Sequence, residues 1–248
     1  MRNGIGYDNA REHEEEQGLM FGSLAIVSFA VFAAAGDSAG TFKTVTVPAV
    51  DEASKDASFV AFRDALRDAV AKRDVEAVLR IVDPEIKCGF GGEDGKDNFI
   101  KAWNLAVKPA ESMLWRELGE VLRLGGRFED SNGDKQFIAP YTFLDMPDEF
   151  DSFENAIVVG DGVRVREAPR ASSAQIAKVD RIVVRAYPEA ELVEEEINGE
   201  KFPWRAVGLP DGRKGFIWGK FVRMPVETRA GFSKKSGEWK MVFLVAGD

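Results

Sequence analysis

Near Ala156 the hydrophobic pattern of this chain changes period, and a fold built only of helices or only of sheet cannot absorb both halves. Upstream, apolar residues recur at three- and four-residue spacing; downstream they fall in short alternating runs separated by turn residues. A helix buries one stripe and a strand buries alternate residues, so the change marks two structural units. With 248 residues and 45% hydrophobic content, each unit can bury a core of its own. The net charge of −9 splits at the same place, into −3 over residues 1–50, −9 over 51–155 and +3 over 156–248. An acidic region followed by a mildly basic one argues against nucleic acid as a partner, which would require a concentrated basic stripe.

Residues 19–35 hold no charge. As a helix these seventeen residues would span roughly 25 Å, just short of a bilayer core. Ala33, Ala34 and Ala35 supply the small residues that a signal peptidase requires before a cut at Gly36. Residues 1–35 therefore read as a signal peptide or membrane anchor, and the protein as periplasmic or secreted, with retention at the membrane if the segment stays. Residues 11–17 are acidic where a signal peptide should be basic, which places the translation start nearer the apolar run. Residues 36–56, rich in Ser, Thr, Ala and Asp, read as a linker.

Asp56 is placed to cap a helix over 58–72 that carries Phe59, Phe62, Leu66 and Val70 on one face. A second helix follows Asp74 with Val75, Val78, Leu79 and Val82, and Asp83-Pro84 should stop it. Residues 86–90 read as a strand, and 91–98 as a turn into a helix capped by Asp97 and bearing Phe99, Ile100 and Trp103. A fourth helix over 111–124 buries Leu114, Leu118, Val121 and Leu122 before Gly125-Gly126. Short strands are expected at 127–128 and 137–143, around a turn at 130–134. The first domain, residues 57–155, is thus expected to be acidic and α+β, mostly helical with a small sheet. Its helix, helix, strand, helix order, with Arg73-Asp74-Val75 and the Phe99, Trp103 pair, resembles the opening of the nuclear-transport-factor-2-like fold over about fifty residues. Helix 111–124 departs from that pattern, and no pocket residues are carried over.

Strands at 156–159, 163–166, 176–179, 182–186, 204–209 and 215–218 predict a small barrel over residues 156–225. Pro210-Asp211-Gly212 has the chemistry of a hairpin turn. Val163, Val165, Arg166, Pro169, Ser172 and Ser173 at one end resemble the opening of the bacterial SH3-like (SH3b) domain. At the other end Trp204, Val207, Asp211, Gly212, Gly215, Phe216, Ile217, Phe221 and Val222 resemble its close. The resemblance covers a little over a quarter of the chain. It implies a small β-barrel of the kind found on exported bacterial proteins, where it tethers them to cell-wall components or to other polypeptides. On that footing Tyr187, Trp204 and Trp218 are the ligand-binding candidates, because aromatic rings stack on sugars and peptides; the competing reading has them fill the barrel. The acidic insertion 189–202 lengthens a loop and could cover the groove. Glu194-Glu195-Glu196 within it is either a solvated loop or a flap on Arg213, Lys214, Lys220 and Arg223.

Residues 226–248 read as a hairpin turning at Ser236-Gly237, with Trp239, Met241, Phe243 and Val245 alternating on the return and Val242 and Leu244 making the strand apolar on both faces. A lone hairpin is barely stable, so it is expected to complete the sheet of the first domain, with the barrel inserted between.

The chemistry open to such a chain is narrow. Its one histidine, His13, precedes the apolar segment, and residues 36–248 hold none. The lone Cys88 therefore lacks the usual base for a thiolate nucleophile and reads as a small core residue. Ser-His-Asp and His-based zinc sites fail for the same reason. Asp83, Glu85, Glu93, Asp94 and Asp97 could supply a carboxylate pair, although caps and turns explain them more simply. Asp130, Asn132 and Asp134 imitate a calcium loop, but Lys135 and Tyr141 stand where Gly and Glu belong. Gly89, Gly91, Gly92 and Gly95 lack the spacing of a phosphate loop. The expected function is a non-enzymatic envelope protein, without cofactor or metal, binding a cell-wall polymer or an envelope protein. The alternatives are a carboxylate-dependent cell-wall glycan hydrolase and a structural protein with a self-packed barrel.

Overall fold

The computed structural model describes residues 40–131 and 134–247; the segment read as a leader, with His13, lies outside them. Among the described residues no helix is long and apolar enough to cross a membrane. Thr46 bridges Ile182 in antiparallel fashion: Val47 N–H donates to Arg181 O at 2.7 Å, Val183 N–H to Val45 O at 3.0 Å, and Val47 is buried. Helix α1 (Ala57–Ala71) begins where the Asp56 carboxylate accepts the Ser58 and Phe59 amides. Helix α2 (Val75–Ile81) is capped by Asp74 and passes directly into strand β1 (Val82–Lys87). Pro84 is thus inside a strand, tolerated because β1 lies at a sheet edge, where a missing N–H need cost no ladder bond. Helix α3 (Lys96–Ala102) has Gly95 at its cap, with φ 94°; Asp97, expected there, lies in the first turn. Helix α4 (Leu114–Leu124) and strands β2 (Arg127–Ser131) and β3 (Asp134–Ala139) follow. Beyond Pro140 the chain forms helix α5 (Tyr141–Leu144), where a strand to 143 was expected.

Eight strands then run in succession: β4 (Asn155–Val158), β5 (Val163–Arg166), β6 (Gln175–Val179), β7 (Val183–Ala186), β8 (Val193–Ile197), β9 (Glu200–Gly208), β10 (Lys214–Trp218) and β11 (Val222–Arg223). The chain closes with β12 (Arg229–Lys235) and β13 (Glu238–Val245). Strands β1-β13-β12-β3-β2 form one sheet, with β1 and β13 parallel and the other pairs antiparallel. Strands β11-β4-β7-β9-β10-β5-β6 form the other, with β8 paired to β9. All eight strands of the second sheet fall, in sequence, between β3 and β12 of the first.

The expectation of a mostly helical first domain is overturned. Two large sheets dominate, and the described residues are 26% helical and 34% strand. Strands were expected at 127–128 and 137–143, and polar alternation concealed how far they run: Glu129, Asp130, Lys135 and Gln136 all sit in the paired ladder of β2 and β3. One face of the five-stranded sheet packs Phe137, Phe232, Trp239 and Met241 against Leu66, Val70, Leu118 and Val121 of the helices. Phe59 is fully buried among them, with ring centroids of Phe137 at 4.2 Å and Trp239 at 4.9 Å.

A β-bulge alters the facing of β13. Gly231 pairs with Phe243 but Phe232 with Met241, leaving Val242 unmatched. Past the bulge, Leu244 enters the core and Phe243 leaves it, so the expected alternation of Trp239, Met241, Phe243 and Val245 breaks after Met241. The Phe243 ring lies across Gly231, where a Cβ would come within 2.1 Å of it.

The second sheet curls around Val158, Val165, Val184, Val207 and Ile217, and Val222 near one edge and Val179 near the other pack on the same cluster. A third cluster, Leu124 and Tyr141 with Ile157, Val159 and Val183, joins α4 and α5 to β4 and β7.

Candidate functional site

Alternation along β9 and β10 sends Val207 and Ile217 into the aliphatic core and Trp204 and Trp218 to the opposite face, where the two indoles are directly paired across the strands. They do not fill the curled sheet; neither do they stand in solvent, at 4% and 6% exposure. The cover is the segment expected to be a loop. Residues 193–208 form a hairpin, with β8 laid on β9 from Val193↔Trp204 to Ile197↔Glu200. Its turn is Asn198-Gly199, with φ 54° and 79°, the two positive values that a two-residue hairpin demands.

Glu195 anchors that hairpin. Its carboxylate accepts the Trp204 indole N–H at 2.7 Å and the Ala171 amide at 2.8 Å. The Trp218 indole N–H donates to the carbonyls of Glu195 and Phe202, both at 3.2 Å. Phe202 meets the Trp218 ring edge-on at 5.2 Å, and Phe221 lies 5.9 Å away. Glu194 turns outward to Lys201 at 2.7 Å, which holds its carboxyl below the ordinary value. Of the basic residues considered for a flap, Lys220 is ion-paired with Glu200, Arg213 lies 2.7 Å from Asp211, and Arg223 sits between Glu117 and Glu227.

Trp204 and Trp218 line one groove of about 510 Å³, and Tyr187 lies outside it. Tyr187 instead borders a small pocket with Arg205, Met224 and Glu227, and burial pushes its phenol above the ordinary value. The opposite wall of the groove comes from β5 and β6. Phe216 pairs with Arg166, and Arg164 pairs with Lys178, so the outer face runs from two indoles to basic side chains. Arg166 donates to Ser173 O at 2.8 Å. Asp161, at the groove's end, is paired with Arg181 at 2.9 Å. Arg164 and Lys178 are both exposed, and neither has an acidic partner among the described residues. Lys178 lies over Gly162, where a Cβ would come 2.7 Å from its Cε, and the Gly162 amide donates to the Asp180 carboxylate. The groove therefore has an aromatic wall closed by the chain's own hairpin and an open cationic floor. The Val-Arg-Val-Arg alternation of β5 signals the two arginines; that Lys178 faces Arg164 emerges only from strand register.

The other candidates have local partners. Asp83 accepts the Glu85 amide at 2.8 Å. Asp94 holds Lys87 at 2.5 Å and the Cys88 amide at 3.2 Å, and the Lys87 ammonium keeps its carboxyl below the ordinary value. Cys88 packs against the first core with its Sγ 3.7 Å from Ile86 O, and burial pushes its thiol up. Asp130 faces Lys135 across β2 and β3, while Asn132 lies outside the described residues. Among the described residues no three His, Cys, Asp or Glu side chains converge as metal ligands would. Burial raises Asp145, which Arg127 meets at 2.6 Å. Compared with family models, curated proteins and solved structures, the chain has no significant match.

Proposed function

We propose that this is an exported, non-enzymatic cell-envelope protein whose eight-stranded half, similar to a bacterial SH3-like domain, binds a cell-wall or polypeptide ligand. The observation that carries the reading is the open groove beside Trp218, where Phe221 is 37% exposed and offers an apolar surface next to polar walls. The uncharged segment 19–35 supports export, and the absence of histidine from residues 36–248 supports binding over turnover.

The test is retention of the purified protein on isolated peptidoglycan sacculi, with amide and indole NMR shifts followed in parallel. Retention of the wild type, weakened several-fold by Phe221→Ala with the groove signals moving, is the expected result. No retention, or retention that leaves every groove signal in place, would overturn the reading. A second reading rests on a specific observation. Both indole N–H groups are satisfied from within, and the Leu124, Tyr141, Ile157 cluster buries part of the second sheet against helices α4 and α5. A self-packed structural half would then give no retention on any envelope fraction.

A further inference from the structure

We infer that the ligand of this groove is a polyanionic glycan, or polyol, of the envelope, carrying repeated phosphate or carboxylate groups and seated on Arg164 and Lys178. The inference rests on the binding role proposed above and names its chemistry. Like charges directly opposite one another on neighbouring strands destabilise a sheet. Arg164 and Lys178 occupy such a pair on β5 and β6, both exposed and neither ion-paired among the described residues, while Asp180, the acid nearest to Lys178 in sequence, accepts the Gly162 amide. Elsewhere around the groove Lys220 meets Glu200 and Asp161 meets Arg181, while Arg166 donates to the Ser173 carbonyl. The pair lies in the half of the chain that carries a net charge of +3, against −12 for residues 1–155. An anion bridging both cations removes the repulsion, and a guanidinium can grip a phosphate or carboxylate through two parallel hydrogen bonds.

Two features favour a sugar or polyol backbone over nucleic acid. The exposed part of Phe221 borders the cationic floor, suited to the apolar face of a sugar ring. Among the described residues the groove's cations without an ion pair are three, Arg164, Arg166 and Lys178, gathered on two strands, where a nucleic-acid site would present a long stripe.

The experiment titrates the full chain with poly(glycerol phosphate) and with polygalacturonate, using neutral dextran, inorganic phosphate and single-stranded DNA for comparison. Either polyanion should bind, shift the amides of Arg164, Lys178 and Phe221, and weaken as salt rises. Arg164→Gln with Lys178→Gln should cost about tenfold or more in affinity, and the charge-keeping Arg164→Lys with Lys178→Arg should restore most of it. Because both side chains are exposed, circular dichroism should show the fold unchanged. Equal binding of dextran, or no loss in the double Gln variant, would overturn the inference. Equal affinity for inorganic phosphate would overturn the polymer, and tighter binding of DNA would overturn the glycan. Sacculi stripped of anionic polymers separate the two claims: undiminished retention there refutes the polyanion and leaves the binding role standing. No retention on either sacculus preparation refutes the role itself.

Discussion

The two halves place their aromatic rings oppositely. In the five-stranded half Phe59, Phe99, Phe137, Phe232 and Trp239 form the middle of the core, between sheet and helices. In the eight-stranded half the core is wholly aliphatic among its buried members, and Trp204, Phe216 and Trp218 lie on the outer face. A sheet roofed by helices leaves a layer deep enough for rings, whereas a short sheet curled on itself leaves room for Val, Ile and Leu. Rings displaced from a core must find other cover, and here the Glu195 hairpin supplies it. The contrast separates rings that hold a fold from rings near a surface available for recognition.

The largest expected effect breaks the first half. Phe59→Ala removes a fully buried ring at the centre of its aromatic cluster, and should cost about 3–5 kcal/mol in urea denaturation. A loss under about 1 kcal/mol would show that the cluster is not what holds this half. A smaller effect is expected in the second half. Glu195→Ala leaves the Trp204 indole and the Ala171 amide without their acceptor, at about 1–3 kcal/mol. Its signature is local: hydrogen exchange at the Trp204 indole should quicken and a hydrophobic dye should find the exposed rings, while Trp239 is undisturbed. Unchanged exchange would mean that strand pairing alone closes the hairpin.

The smallest effect sharpens the comparison by acting on the first half from its rim. Asp56 accepts the Ser58 hydroxyl and the Ser58 and Phe59 amides at the start of α1, which lowers its pKa from 3.8 to about 2. The ionised cap is the stabilising form. Its contribution is therefore complete above about pH 4 and fades as the pH falls through 2. Asp56→Ala should cost about 1 kcal/mol at pH 7, and the gap to wild type should close between pH 4 and 2. A gap that does not change with pH would show that the carboxylate charge contributes nothing.

Elements whose pattern is carried by apolar residues were legible in the sequence. The period of Phe59, Phe62, Leu66 and Val70 predicts a helix over 58–72, and α1 runs Ala57–Ala71. The Val163, Val165 alternation gives the limits of β5. Elements that alternate polar residues were not. Hairpin β8–β9 is announced by Asn198-Gly199, but its alternation is Val193, Glu195, Ile197, and a run of glutamates masks it as a loop. The bulge at Val242 has no local signature, because its neighbours are apolar on both faces. Of the groove, the two indoles could be named in advance, since a Trp on a strand is conspicuous. Their closure by Glu195, the separation of Tyr187 and the facing of Arg164 with Lys178 all depend on register between strands distant in sequence, which periodicity alone does not encode.

Besides residues 45–47, which pair beside β7 before the chain enters α1, two connections join the second sheet to the first, and both leave it at the same end of neighbouring strands. Strands β4 and β11 lie side by side, with Ile157 opposite Arg223 and Val158 opposite Val222. Tension between the halves is therefore shared by two chains pulling in parallel. It crosses from β4 to β7 as shear, loading Asn155↔Arg185, Ala156↔Val184 and Ile157↔Val183 together, because antiparallel ladder bonds stand perpendicular to the strands. A module hung on one linker would transmit the same pull through a single strand end. This attachment loads several ladder bonds at once, so the second sheet resists being peeled open from that end.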